Sequence, residues 1–315
     1  MAGITGSAPQ RERGRRRRTR ADLGPATAGL KAPLWLELGR VSNLPTVWSN
    51  VLAGAVLVGA SPWQTNTAIA LVSLTLFYLG GMYLNDACDA EIDARERADR
   101  PIPRGDVGRL TVTLLGSLML VVGALALFLT NLAAGVTGLA LVAAIIGYDG
   151  WHKRIGWSPL LMGACRLLTY LAAAFALTGS VGSALLAGAF GLACHVVGLT
   201  YAARQEAYDR IGAAWPLVVL AVPVGVMFVT TLNGPAPSLL ALGLGIAYLA
   251  WCGRCLSLLF RRSPGDVPRA VVGLIAAISL YDATLMASAG ALLAALAAAL
   301  AFLATLALQR VTSGT

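Results

Sequence analysis

The chain reads as long apolar runs broken by short polar links. Apolar positions persist over approximately 44–61, 65–84, 109–129, 131–148, 158–179, 183–203, 214–232, 237–258, 268–289 and 291–309. As a helix, each run approaches or exceeds what a hydrocarbon core of ~30 Å requires. Strand-like alternation is scarce within them, and Ala, Leu and Gly dominate. The runs therefore predict membrane helices, not barrel strands. The expected fold class is all-α: a polytopic membrane helix bundle of nine to ten transmembrane helices. The count turns on residues 268–309, too long for one span at about 1.5 Å per residue. Ser288-Ala289-Gly290 offers a tight turn between two spans, and ten is the favoured number. The competing reading is one lateral helix followed by a single ninth span.

Composition supports the same class. Of 315 residues 57% are hydrophobic and 12% charged, with mean hydropathy +0.72, which excludes a soluble domain. The net charge of +9 is unevenly spread, because seven arginines crowd Arg11 to Arg20. Residues 1–35 are expected to form a disordered basic tail attracted weakly to anionic lipid headgroups. Nothing aromatic interleaves the basic residues there, so no nucleic-acid partner is expected. The first strong apolar run starts only after Arg40, which argues against a cleaved signal peptide. The links near 62–64, 130, 180–182 and 233–236 carry no Lys or Arg. Those near 85–108, 149–157, 204–213 and 259–267 carry nearly all the basic loop residues. This alternation predicts a multi-pass protein of the cell membrane whose N-terminus and basic links are cytoplasmic.

The candidate chemistry lies in three of those basic links, after the second, fourth and sixth runs. The first begins Asn85-Asp86-Ala87-Cys88-Asp89-Ala90-Glu91-Ile92-Asp93 and ends Arg100-Pro101-Ile102-Pro103-Arg104-Gly105. Asn85, Asp89 and Asp93 recur at i, i+4 and i+8, which puts them on one face of a helix. Such a face repels itself unless a cation sits among its oxygens, and hard oxygen donors suit Mg²⁺. The other reading of the stretch is a solvated helix end that keeps a loop soluble.

The second link offers Tyr148, Lys153 and Arg154, two cations and a phenol suited to a phosphate group, to which Arg97, Arg100 and Arg104 add. Read singly, each basic residue is also what membrane topology asks for. Arg166 and Asp282 fall inside runs, where a charge faces a cavity or a partner. For Arg166, phosphate binding and snorkelling to the interface both stand. His195 is expected as a hydrogen-bonded interior residue. With His152 it makes two histidines, too few for a histidine-based metal site. Cys252 and Cys255 read as packing residues, and the five cysteines show no disulfide framework.

Taken together, Asn-Asp-x-x-Asp-x-x-x-Asp followed by Arg-x-x-Arg-Pro-Ile-Pro-x-Gly after the second run resembles the UbiA superfamily of intramembrane prenyltransferases. The Lys153–Arg154 pair after Tyr148 also matches that family's second link, with one residue more between tyrosine and lysine. Tyr148–Arg154, Met162–Arg166 and Arg204–Ala207 look closest to the EboC-like branch. The resemblance implies a UbiA-like transmembrane domain over 36–315, with helices around a central cavity open sideways to a polyprenyl chain. It implies Mg²⁺ on the diphosphate of the donor, held by two acidic motifs. Asn85, Asp89 and Asp93 inherit the metal role with Asp86 as a helper, and Asp89, Asp93 and Lys153 count as catalytic. Lys153, Arg154, Tyr148, Arg97, Arg100 and Arg166 inherit the diphosphate. Ser49 and Asn50 are candidates for an acceptor pocket.

One departure stands out. The second acidic motif, Asp-x-x-x-Asp in the family, corresponds here to Gln205-Glu206-Ala207-Tyr208-Asp209. Asp209 matches, Gln205 lacks the charge, and Glu206 points about 100° away on a helix. The expected metal set is thus Asn85, Asp86, Asp89 and Asp93 with Asp209 and Glu206. The expected function is Mg²⁺-dependent transfer of a prenyl group from a polyprenyl (di)phosphate to an unidentified small-molecule acceptor. The alternative is a non-catalytic protein that binds or helps translocate a lipid-linked metabolite. A secondary transporter is a third reading, which would need paired charges at mid-membrane.

Overall fold

The computed structural model describes residues 33–152, 155–205, 218–235, 238–261 and 263–311. Helices form at all ten apolar runs: α2 (Leu44–Leu57), α3 (Thr65–Glu96), α5 (Arg109–Phe128), α6 (Leu132–Trp151), α7 (Ser158–Thr178), α8 (Ser183–Gln205), α9 (Val222–Leu232), α10 (Leu239–Arg261), α11 (Asp266–Ser288) and α12 (Leu292–Leu308). Two short helices, α1 (Leu34–Leu38) and α4 (Pro101–Arg104), are additions that the apolar pattern does not predict. Residues 1–32, the bulk of the expected tail, and 214–217 of the seventh run lie outside the described residues.

Seven helices (α3, α5, α6, α7, α8, α10 and α11) are long and apolar enough to cross a membrane. The chain is an integral multi-pass membrane protein. Among the described residues, α2, α9 and α12 are shorter apolar helices. Residues 268–309 form two helices, joined by a tight turn in which Gly290 has φ +80°. The reading of a lateral helix does not hold, because nearly nine-tenths of the most apolar window of α11 is buried inside the bundle.

The interior divides into two large apolar clusters. One joins α2, α3, α5, α6 and α7 around Leu74, Phe77, Leu120, Leu127 and Leu141. The other joins α2, α7, α8, α9, α10, α11 and α12 around Tyr170, Leu192, Tyr248, Leu274 and Tyr281. Helices in lipid associate through close packing, which small residues allow. A Cβ on Gly80 would lie 2.8 Å from the Gly116 carbonyl oxygen, so α3 and α5 meet backbone to backbone there. A third, smaller cluster of Leu38, Tyr83, Ala87 and Val112 closes the end of the bundle that carries the acidic motif.

Since α2 and α7 serve both halves, what binds them to α11 matters. Asp282, fully buried on α11, accepts hydrogen bonds from Ser49 Oγ (2.6 Å), Asn50 Nδ2 (2.7 Å) and Tyr170 Oη (2.5 Å). Asn50 Oδ1 in turn accepts from Arg166 Nη1 (2.8 Å), and Thr46 Oγ1 from Arg166 Nη2 (3.3 Å). Arg166 and Asp282, far apart in sequence, thus sit at the two ends of one asparagine. A carboxylate buried in apolar surroundings persists only when its oxygens are satisfied, and here three donors do so. Ser49 and Asn50, candidates for an acceptor pocket, are spent in this network and are not among the residues lining the cavity described below.

Removing the acceptor should cost more than removing one donor. Asp282→Ala is expected to destabilise the protein by about 3–5 kcal/mol, and Ser49→Ala by about 1–3 kcal/mol. Thermal unfolding in detergent checks both, and equal, small effects would contradict the network's role.

Candidate functional site

The acidic motif is helical because nothing stops α3 where the apolar run ends. Ala87, Ala90, Glu91, Ala94, Arg95 and Glu96 favour helix, with no Gly or Pro from 82 to 100. The helix ends at Arg97, whose backbone leaves helical geometry (φ −141°, ψ 59°) a few residues before Pro101. Asn85, Asp89 and Asp93 therefore share a face, as expected. Asn85, Asp86, Asp89 and Asp93 are only 4–8% exposed, which rules out the solvated helix end.

Their burial is made tolerable by arginines. The segment after α3 doubles back through Pro101 and α4, with Gly105 in the left-handed region (φ 83°) closing the turn. This returns Arg100, whose Nη1 donates to Asp86 Oδ1 (2.8 Å) and Asp93 Oδ2 (3.2 Å). Burial and nearby Arg40 pull the Arg100 pKa down, while Asp86 and Asp93 pull it up. Arg40 Nη2 also donates to Asp86 Oδ1 (3.2 Å). Arg40 is the non-glycine residue with positive φ (41°) among the described residues, and its carbonyl accepts from Tyr78 Oη (3.0 Å). Sequence reasoning misses it, although it is the last basic residue before the first apolar run. Arg97 is exposed, and Arg104 is paired with Asp106 and Glu37.

The second link meets the first. Helix α6 runs to Trp151, three residues beyond the expected end, so Tyr148 and Asp149 lie on its last turn. Asn85 Nδ2 donates to Asp149 Oδ1 (3.2 Å). His152 stacks on Tyr148 (centroids 4.9 Å apart, 15° between planes), and its Nε2 lies 3.6 Å from Asp89 Oδ2. The third link meets the second, since Arg204 Nη1 donates to the carbonyls of Ile155 and Gly156 and to Ser158 Oγ. Lys153, Arg154, Glu206 and Asp209 lie outside the described residues. His195 is the interior residue expected, with Nε2 2.8 Å from the Leu274 carbonyl and Nδ1 2.8 Å from Tyr248 Oη. Cys255 is buried in the apolar cluster.

Below the polar links, α2, α3, α6 and α7 line a half-open cavity, with about 590 Å³ of empty space when its open mouth is counted. Leu74, Phe77, Met82, Leu141 and Ile145 make its walls apolar, and Tyr148, Asp149, Arg166 and Thr169 supply polar groups. Arg166 is thus turned inward, as a cavity residue and not a snorkelling one. Asp149, which lies within the Tyr148–Arg154 segment, is 7% exposed. Its Oδ2 has no hydrogen-bond partner among the described residues. Such an oxygen, beside further amide and carboxylate oxygens, suits a hard cation. Among the described residues no three His, Cys, Asp or Glu side chains converge on one metal position.

Residues 43–260 match the UbiA prenyltransferase family. The chain belongs to that family. Among curated relatives, the digeranylgeranylglyceryl phosphate synthase of Natronomonas pharaonis is 29% identical over 233 residues, covering 69% of this chain and 83% of its own. A protoheme IX farnesyltransferase from Synechococcus sp. is 27% identical over 175 residues, 52% of each chain. Among solved structures, a UbiA homologue from Archaeoglobus fulgidus bound to GPP and Mg²⁺ superposes with a TM-score of 0.58 at 15% identity, covering 80% of this chain and 99% of that one. One from Aeropyrum pernix superposes at 0.59 with 17% identity, covering 76% and 96%. These neighbours show that the bundle has the UbiA fold. The likeness to the EboC-like branch rests on the three sequence segments alone.

If Arg100 is what makes the buried acidic face tolerable, Arg100→Ala should destabilise the protein by about 1–3 kcal/mol. Arg109→Ala, which breaks an exposed pair with Glu91, should change nothing measurable. Thermal unfolding of the two variants separates these outcomes.

Proposed function

We propose that this protein is a magnesium-dependent prenyltransferase, moving a prenyl group from a polyprenyl (di)phosphate to a small-molecule acceptor within the membrane. The observation that carries this reading is the burial of Asn85, Asp89 and Asp93 on one helix face, joined through Asn85 to Asp149 on the lining of an apolar cavity. The names of the relatives, one a synthase of a prenylated glyceryl phosphate and one a farnesyltransferase, support it. So does the homologue bound to GPP and Mg²⁺.

In this reading Asn85, Asp89 and Asp93 hold the ion, with Glu206 and Asp209 joining from the third link and Asp86 tying the arginines. Bound Mg²⁺ supplies positive charge that offsets charge developing on the departing diphosphate. Lys153, Arg154, Arg97 and Tyr148 bind and orient the phosphates. Arg100 joins them by exchanging one of its carboxylate contacts for a phosphate oxygen, and Arg166 offers a guanidinium on the cavity wall. As the allylic C1–O bond breaks, its electron pair leaves with the diphosphate. The acceptor's nucleophilic atom then bonds to C1 and gives up a proton. Leu74, Phe77, Leu141 and Ile145 exclude the water that would otherwise capture the cation. In this reading the N-terminus and the three polar links face the cytoplasm, which the distribution of Lys and Arg supports.

The test is turnover by the purified protein. Incubation with a panel of prenyl diphosphates, candidate acceptors and Mg²⁺, followed by mass spectrometry, is expected to reveal prenylated product. Asp89→Asn should lower the rate by about 100-fold or more. No product with any donor, or a rate indifferent to Asp89→Asn, would favour the non-catalytic alternative, for which the uncharged Gln205 already speaks.

A further inference from the structure

The proposed magnesium site has one carboxylate fewer than its family pattern, because Gln205 stands where the third link should carry an aspartate. We propose that Asp149, from the second link, is a further oxygen ligand of that magnesium site. This rests on the magnesium reading above and assigns a role to a residue that neither acidic motif contains.

Three observations carry it. Asp149 comes from a different helix than the acidic motif, yet its Oδ1 accepts a hydrogen bond from Asn85 Nδ2 at 3.2 Å. That bond also orients the Asn85 amide, committing its nitrogen to Asp149 and leaving its carbonyl oxygen available as a metal donor. Second, Asp149 is 93% buried by the complement of its 7% exposure, and its Oδ2 has no partner among the described residues. A buried carboxylate oxygen without a donor is costly, and a cation is the ordinary remedy. Third, Asp149 lines the cavity beside Tyr148, whose ring carries His152 against Asp89. Asn85, Asp89 and Asp149 are therefore tied into one cluster across α3 and α6. Oxygen donors of amide and carboxylate type beside a cavity fit Mg²⁺, which takes a few protein oxygens and leaves its other positions to water and phosphate.

The experiment measures metal binding, not activity. Mn²⁺, as a paramagnetic substitute for Mg²⁺, is titrated alone into the purified full-length protein in detergent and followed by electron paramagnetic resonance. Asp149→Asn keeps the shape of the side chain and an oxygen for the Asn85 bond while removing the charge. It is expected to weaken Mn²⁺ binding about tenfold or more. Asp149→Glu, which restores a carboxylate, should bind within a few-fold of the parent. Asp106→Asn removes a charge paired with exposed Arg104, away from the cavity lining, and should bind like the parent. Parent binding with Asp149→Asn unchanged would overturn the role of Asp149 and leave the magnesium reading standing. Equal weakening by Asp106→Asn would also overturn it, as a general charge effect. No Mn²⁺ binding by the parent would overturn the magnesium reading and the Asp149 role with it.

Discussion

Four polar side chains of one helix, Asn85, Asp86, Asp89 and Asp93, are buried at the end of an apolar bundle, and that cannot be had without counter-charge. Arg100 meets the demand by donating to Asp86 and Asp93 at once, and Arg40 by donating to Asp86. Much of the local architecture follows from delivering these two guanidinium groups. The chain leaves α3 at Arg97, turns through two prolines and Gly105, and packs Pro101 against the bundle. Before α2, Arg40 takes a positive φ that Tyr78 helps to hold. Backbone strain of this kind persists where surrounding contacts over-determine it.

The same economy governs the middle of the protein. Arg166 and Asp282 never touch, but Asn50 takes a hydrogen bond from one and gives a hydrogen bond to the other. This chain fastens α2, α7 and α11 where the two apolar clusters adjoin. It also leaves the Arg166 guanidinium on the cavity wall, where a phosphate or other anionic group would find it. The central position of α11 explains how the shorter helices α2, α9 and α12 are held in the bundle. They pack on a helix that is itself almost wholly enclosed.

Gathering of the polar links is the feature that turns a helix bundle into a candidate enzyme. Asn85 reaches Asp149, Asp89 faces His152, and Arg204 reaches the residues from Ile155 to Ser158. Each contact joins links separated by two membrane helices, so the site exists only once those helices are packed. A largely apolar cavity adjoins them, lined by Asp149 and Tyr148 of the second link, and sets a region suited to charge beside one suited to a prenyl chain.

The sequence by itself determined the helices and the acidic face. Hydrophobic runs near membrane length leave the backbone no alternative to helix, and the i, i+4, i+8 spacing of Asn85, Asp89 and Asp93 needs only that helix to continue. It also displayed the loss of charge at Gln205 and the inward need of Arg166 and Asp282. Only the tertiary structure decided which groups those charges meet. Arg40 lies 46 residues from Asp86, Asp149 64 from Asn85, and Asn50 232 from Asp282. Periodicity and propensity act within a few turns of chain, whereas partners at such separations are chosen by how helices pack. The pairing of Asp149 with Asn85 therefore had no signal in one sequence, beyond a carboxylate beside Tyr148 that a purely topological link would not require.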